Sequence, residues 1–265
     1  MKRIIVVTGA SSGMGREFAL QICRRVKADE LWALGRNQQR LEDLQNQVDA
    51  KVVPISLDLT DRKEVMEKFV SRLEEENPRV LILGNCAGFG KFDHTENLDA
   101  DTLVNMVDLN VSAYVAMISW CLPHMDRGGK IMNISSCAGF QPIPYINCYA
   151  ATKAFVTSYG RALNEELKYR DIHVLTVTPF WTKTAFFDRA IDPKKKLVVL
   201  NYAAMYDPAK VMRQAVKDLF PKKEISCYGV VNQLQWVLVR LLPKKIVMKV
   251  WMKSQSLDGT PGMRP

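Results

Sequence analysis

The sequence predicts a doubly wound α/β fold, one parallel β-sheet with helices on both faces. Three observations predict it. Short, β-rich apolar runs alternate with helical patterns from the first residues onward. Those runs are apolar throughout, as strands covered on both faces are. The chain has 265 residues, 48% of them hydrophobic and 25% charged, enough for one large core and too apolar for disorder or a fibrous repeat.

The elements follow in order. Ile4–Val7 reads as the first strand, and the helical pattern over Gly15–Val26 follows it. Glu30–Leu34 and Lys51–Ser56 are the next strands, separated by a helix over Gln38–Val48. A helix over Asp61–Glu76 leads to the strand Val80–Leu83, and a long helix from Ala100 to about Met125 leads to Lys130–Ile134. A helix over Cys148–Tyr169 precedes the sixth strand, Ile172–Val177. Past Thr178 the pattern weakens over residues 181–206, which read as a lid because disordered linkers are poor in aromatics and this stretch is rich in them. Pro208 opens a helix over about Ala209–Leu219.

The net charge of +9 arises entirely in residues 190–265, where 14 Lys and Arg face 5 Asp and Glu; residues 1–189 carry 23 of each. A basic end of this kind suits anionic lipid or an acidic substrate, or simply a solvated face. Nucleic acid is not expected, since no recognition motif accompanies the charge. The division expected is residues 1–227 as the catalytic domain and 228–265 as a basic amphipathic segment. Three readings of that segment stay open: packed on its own core, on a partner subunit, or on a membrane surface. Six cysteines without a CxxC pair and only three histidines point to a reduced protein without zinc or disulfides. The N-terminal apolar run is too short for a secretory signal, and Gly229–Leu242 is interrupted by polar residues. The expected location is cytoplasmic, or peripheral at a membrane.

The first strand runs into Thr8-Gly9-Ala10-Ser11-Ser12-Gly13-Met14-Gly15 and then a helix. Glycines there permit positive φ and close approach of a pyrophosphate, whose charge the free N–H groups and helix dipole stabilise. A strand, this turn and a helix within a βαβ unit form a Rossmann-type dinucleotide fingerprint. The second strand ends at Leu34-Gly35-Arg36 with no carboxylate for the ribose hydroxyls, and Arg36 can fork onto a 2′-phosphate, so NADP(H) is preferred over NAD(H). Asp58, ending the third strand, either accepts from the adenine amine or caps the helix beginning at Asp61.

Tyr149 and Lys153 lie i, i+4 on one helix face. An adjacent ammonium and the positive nicotinamide ring both favour phenolate, so Tyr149 is expected to have a lowered pKa and to exchange a proton with a carbonyl or alcohol oxygen. Ser136, or its neighbour Ser135, can hydrogen-bond that oxygen.

The combination of TGASSGMG at 8–15, Asp58, the Asn85-Cys86-Ala87-Gly88 turn, Asn110, the NISSCAG run at 133–139 and Tyr149-x-x-x-Lys153 resembles the short-chain dehydrogenase/reductases over about residues 2–220. The resemblance implies a catalytic tetrad of Asn110, Ser136, Tyr149 and Lys153. Tyr149 is then the general acid/base and Ser136 orients the substrate oxygen. Lys153 binds the nicotinamide ribose, and Asn110 holds a water in the proton relay. Cofactor contacts are implied at Gly9, Ser11, Ser12, Gly13, Met14, Gly15, Arg36, Asp58, Ala87, Gly88, Asn110, Tyr149, Lys153, Pro179, Thr182 and Thr184. It also implies homo-oligomers pairing through the helices that carry Asn110 and Tyr149.

Three positions depart from the family pattern: Cys86 in place of Asn, Thr152 in place of Ser, and Phe180 after Pro179 in place of Gly. Phe180 and the hydrophobic, basic C-terminal end resemble the branch of 17β-hydroxysteroid dehydrogenases and long-chain 3-oxoacyl reductases. Ser136, Phe140, Tyr145, Phe180, Trp181 and Phe186 are expected to line the substrate site. The substrate expected first is a steroid or bile-acid-like ketone or secondary alcohol, with a 3-oxoacyl compound as the alternative. A non-catalytic NADP(H)-binding sensor is the distant alternative.

Overall fold

Runs of buried Ile, Val and Leu form the central strands of one sheet. These are β1 (Arg3–Thr8), β2 (Glu30–Gly35), β3 (Lys51–Ser56), β4 (Arg79–Asn85), β5 (Lys130–Ile134), β6 (His173–Val177) and the two-residue β7 (Ile225–Ser226). The computed structural model describes residues 1–191, 198–202 and 204–257. The strands are all parallel, in the order β3-β2-β1-β4-β5-β6-β7. The order reverses between β1 and β4, which opens a ligand crevice beyond their carboxyl ends.

Helices cover both faces. On one, α1 (Gly13–Cys23) and α9 (Pro208–Leu219) bury Phe18, Ile22, Val211, Met212 and Leu219 against Ile5, Val7 and Leu175. On the other, Met117, Ile118 and Cys121 of α6 (Ala113–Cys121) and Leu163 of α7 (Asn147–Glu166) pack on Val6, Leu83 and Ile131, with Val65 and Phe69 beside them. Val65 ends the short α3 (Arg62–Val65), which a wide turn through Phe69 joins to α4 (Ser71–Glu76). The second predicted helix is α only over α2 (Gln38–Glu42) and tightens to a 3-10 turn over Asp43–Gln47. Its N-cap, Asn37, accepts from the Arg40 N–H.

The long predicted helix begins as α5 (Ala100–Val107) and reaches α6 through one π turn, Asp108–Ser112. Residues 100–124 are long and apolar enough to cross a membrane by length and composition. In this fold Met117, Ile118 and Cys121 belong to the core described above, whereas Val104 and Val107 are exposed.

The segment after β6 holds the short α8 (Phe186–Ala190). The C-terminal stretch, patterned as one amphipathic helix, is two: α10 (Val230–Leu241) and α11 (Lys244–Ser254), parted at Pro243. Proline disfavours helical backbone at the residue before it, and Leu242 is extended with ψ 143°. β7 was not legible, because two residues after the alternating pattern has ended give no period to read.

Candidate active site

The turn after β1 is shaped by what its glycines lack. Gly9 has φ +66°, and a Cβ there would lie 2.9 Å from the Ala87 backbone; one on Gly15 would lie 2.3 Å from the Gly9 carbonyl oxygen. The buried Thr8 hydroxyl accepts from the N–H groups of Cys86 and Ala87 at 3.0 and 3.2 Å, tying the ends of β1 and β4 together. Ser12 precedes α1 with no side-chain cap bond, and the first turn of α1 carries no acidic residue. The result is a Gly-lined cradle ending in an uncapped helix N-terminus, the arrangement that suits a pyrophosphate. Ser11 lies beside Gly35 at the end of β2, within 3.2 Å of where a Cβ would stand.

Arg36, just past β2, is about half exposed, with its guanidinium 3.9 Å from the Asp58 carboxylate. Asp58 accepts from the N–H and hydroxyl of Thr60 at 2.9 and 2.7 Å, while Asp61 is the residue that caps α3. Of the two roles read for Asp58, helix capping therefore falls to Asp61. Gly88 continues the crevice: a Cβ there would be 2.9 Å from Asn110 Oδ1 and 3.4 Å from Lys153 Nζ.

The π turn buries Asn110 completely. Its side chain accepts from the Phe89 N–H at 3.0 Å, donates to the Phe89 carbonyl at 2.8 Å and donates to Thr152 Oγ1 at 3.1 Å. The Thr152 hydroxyl donates onward to the Tyr149 carbonyl, so the residue that departs from the family pattern supplies a working hydroxyl.

Of the two serines after β5, Ser135 turns away: its hydroxyl bonds the Lys153 carbonyl and Thr157 Oγ1, both at 2.7 Å. Ser136 lines the main cavity. Its oxygen accepts from the Ala138 N–H at 3.1 Å, and its hydroxyl makes a long 4.0 Å contact to Cys137 Sγ. Tyr149 lines the same cavity, and its ring packs on Phe186 at 5.4 Å. Gly90 lies against that ring, where a Cβ would stand 3.0 Å from Tyr149 Cδ2. Neither Gly90 nor Gly88's neighbour Phe89 carried a signal in the sequence beyond the turn they occupy.

Lys153 differs from expectation. Its Nζ donates to the Ile134 carbonyl at 2.9 Å and stands 5.7 Å from the Tyr149 ring centre, rather than bonding the phenol oxygen. Burial pushes its pKa down to about 7, and burial likewise pushes Tyr149 well above the ordinary tyrosine value, against the opposing Ser136 hydroxyl. In the chain's own groups, burial therefore moves the phenol opposite to the lowering expected from an ammonium and a nicotinamide ring together.

A cavity of about 640 Å³ opens from Ser136 and Tyr149. Met14, Pro179, Thr182 and Thr184 bound one side, and Phe92, Phe180, Trp181, Phe186, Phe187 and Tyr202 give it aromatic walls. Trp181 meets Phe92, Phe187 and Tyr202 at 5.9, 6.0 and 5.1 Å. Tyr145 and Phe140 lie off the cavity: Tyr145, at φ +67°, packs edge-on to His94 at 4.5 Å, and Phe140 faces Trp236 at 6.2 Å. The positive φ at Tyr145 and the 3-10 turn ending at Phe140 aim these side chains elsewhere. The far wall comes from Leu234, Leu238 and Leu242 after β7, with Val250 and Trp251 of α11. The Trp251 N–H donates to the Pro144 carbonyl at 3.1 Å, fixing α11 to the loop before α7.

Known proteins resemble this chain in sequence and fold. Residues 3–195 match the short chain dehydrogenase family. The chain is 28% identical over 261 residues to very-long-chain 3-oxoacyl-CoA reductase-B of Danio rerio, covering 92% of this chain and 77% of that protein. Reductase-A of the same fish is 30% identical over 192 residues, but the chain spans only 58% of its length, with 68% of this chain matched. An uncharacterized oxidoreductase of Myxococcus xanthus is 30% identical over 187 residues, or 69% of this chain and 73% of that one. Among solved structures, a short-chain dehydrogenase from Sphingobium yanoikuyae in complex with NADPH superposes with TM-score 0.75 at 23% identity, over 99% of this chain and 98% of the other. With the family match running over most of the chain and the fold shared end to end, the protein belongs to the short chain dehydrogenases, oxidoreductases that act on alcohol and ketone carbons.

Proposed function

We propose that the protein is an NADP(H)-dependent reductase of long-chain 3-oxoacyl thioesters. The carrying observation is the shape of the cavity: the hydroxyls of Ser136 and Tyr149 stand together at one end of a mostly apolar space whose far wall is a row of leucines, with Gln141, Asn201 and Gln235 among its few polar side chains. A polar end for one oxygen and an extended apolar remainder suit a carbonyl near the head of an acyl chain. The relatives named for very-long-chain 3-oxoacyl-CoA support this reading better than the steroid-like substrate that the sequence put first.

The residues present fit the cofactor. The cradle of Gly9, Ser11, Ser12, Gly13, Met14 and Gly15 would take the pyrophosphate, and Arg36 the 2′-phosphate, which supports NADP(H). Ala87, Gly88, Pro179, Thr182 and Thr184 would flank the nicotinamide half. When bound, the cofactor supplies the hydride. Tyr149, kept protonated by its burial, gives its hydroxyl proton to the substrate oxygen as the carbonyl carbon gains the hydride's electron pair. The O–H bond of Tyr149 breaks, an O–H bond forms on the substrate, and the ketone is reduced to the alcohol. Ser136 donates to the same oxygen and holds it in line. Lys153, anchored on Ile134, binds ribose hydroxyls and sits next to the phenol that it helps reprotonate. Asn110 clamps the Gly88–Phe89 turn on which this arrangement rests. Exposure of Val104 and Val107 on α5 and Phe155 on α7 supports subunit pairing through these helices.

The test follows absorbance at 340 nm with NADPH or NADH against 3-oxoacyl thioesters of graded chain length, oxo-steroids and oxo-bile acids. Turnover rising with acyl length, reduced roughly 10²–10⁴-fold by Tyr149→Phe while NADPH still binds, is expected. Preference for a steroid column would return the substrate to the other branch, and tight NADPH binding without turnover on any column would favour the sensor.

A further inference from the structure

We propose that α10 and α11 seat the molecule on an anionic lipid bilayer, with the mouth of the cavity facing the lipid. This seating concerns the outer surface alone and holds whichever carbonyl compound is reduced.

The two helices are barely buried. On α10 only Asn232 and Val239 are in the interior, and on α11 only Val247. Val230, Leu234, Val237, Leu238 and Leu241 form a continuous exposed row on α10, between 45 and 80% accessible. Ile246 and Val250 extend it onto α11 at 46 and 61%. A contiguous apolar surface of this kind on a water-facing helix pair marks an interaction site.

Charge identifies the occupant. Residues 228–257 contain Arg240, Lys244, Lys245, Lys249 and Lys253 and no Asp or Glu. A second copy of the chain pairing through this face by a two-fold axis would set five bases against five, with no carboxylate on either side. A bilayer bearing anionic headgroups satisfies both features at once: the apolar row enters the acyl boundary and the bases stay at the headgroups.

The cavity gives the placement a purpose. Leu234, Leu238, Leu242 and Val250 line the cavity and are also 40 to 61% exposed, so its mouth is cut through the apolar face itself. An apolar substrate could then pass from lipid to Ser136 and Tyr149 without crossing water.

The experiment is co-sedimentation of the full chain with phosphatidylcholine vesicles, with and without phosphatidylglycerol, at low and raised salt. Binding at least about tenfold stronger to the anionic vesicles, and weakened by salt, is expected. Lys245→Glu combined with Lys249→Glu, both outside the cavity lining, should abolish the difference, and Leu241→Asn should weaken binding to the anionic vesicles, with NADPH binding unchanged in either. Equal or absent binding to both vesicle types overturns the proposal. So does a dimer that Leu241→Asn dissociates and that does not sediment with lipid. The salt and lipid dependence is measured on the unaltered chain, so it decides the matter even where a variant fails to fold, and loss of reductase activity has no bearing on it.

Discussion

Gln255 holds Asn201 from both sides: its Oε1 accepts the Asn201 N–H at 2.9 Å and its Nε2 donates to the Asn201 carbonyl at 3.0 Å. The same oxygen accepts the Leu200 N–H at 2.9 Å. A side chain 2% exposed at the end of α11 thus ties down the backbone of the segment that carries Tyr202 into the cavity. Gln255→Leu leaves two backbone donors without their partner, and a loss of about 2 kcal/mol, or roughly 4–8 °C in Tm, is expected. Turnover of an apolar substrate should fall through KM while NADPH affinity holds. An unchanged Tm by calorimetry would show that the tie carries no load.

The glycines of the first turn should differ sharply in tolerance. Gly15→Ala puts a methyl 2.3 Å from the Gly9 oxygen, so the turn must open; NADPH affinity is expected to drop at least about tenfold, with a lowered Tm. Gly13→Ala meets only Thr184 at 3.4 Å and costs the left-handed conformation at φ +54°, about 1 kcal/mol. Fluorescence titration with NADPH ranks the two, and equal effects would mean that the cradle is not where the pyrophosphate sits.

Arg36→Asp removes the cation at the end of β2 and adds a carboxylate beside Asp58. Loss of a charged hydrogen bond worth about 1.5–3 kcal/mol weakens NADPH roughly ten- to hundredfold. NADH affinity is expected to stay level or rise. Parallel weakening of both cofactors would move the 2′-phosphate contact elsewhere.

Lys153 imposes a pH dependence on stability. Its folded pKa of about 7 lies below the ordinary lysine value of 10.5, so between these limits the unfolded chain binds more protons than the folded one. Stability therefore rises with pH across that window, by at most about 1.4 kcal/mol per unit from this group. Denaturant unfolding between neutral and mildly alkaline pH should show the wild type gaining on Lys153→Met as pH rises. A constant difference would mean that the amine titrates normally and is not desolvated.

The alternation of strands and helices was legible because a fully buried strand leaves an unbroken apolar run, as in Ile4–Val7 and Val80–Leu83, and the phosphate turn was legible because only glycine tolerates its geometry. The cavity's far wall was not. Amphipathic spacing in residues 230–254 states that one face is apolar without stating what it meets, and Pro243 divides what reads as one pattern. Nor does a Tyr-x-x-x-Lys spacing report burial, which moves the Tyr149 phenol opposite to the expected lowering. Phe140 and Tyr145 were misplaced for a local reason: they adjoin the site in sequence, but irregular backbone aims them elsewhere.

The leucine wall has an evolutionary corollary. The groups proposed to carry the chemistry lie at or before Lys153, whereas the far side of the substrate space is built by residues 230–255, beyond the last strand and contacting the sheet hardly at all. One wall of the cavity is thus encoded apart from its hydroxyl-bearing end within one reading frame. Recombination or truncation at the distal stretch could redirect the enzyme toward a new molecule while the reaction it performs is inherited untouched.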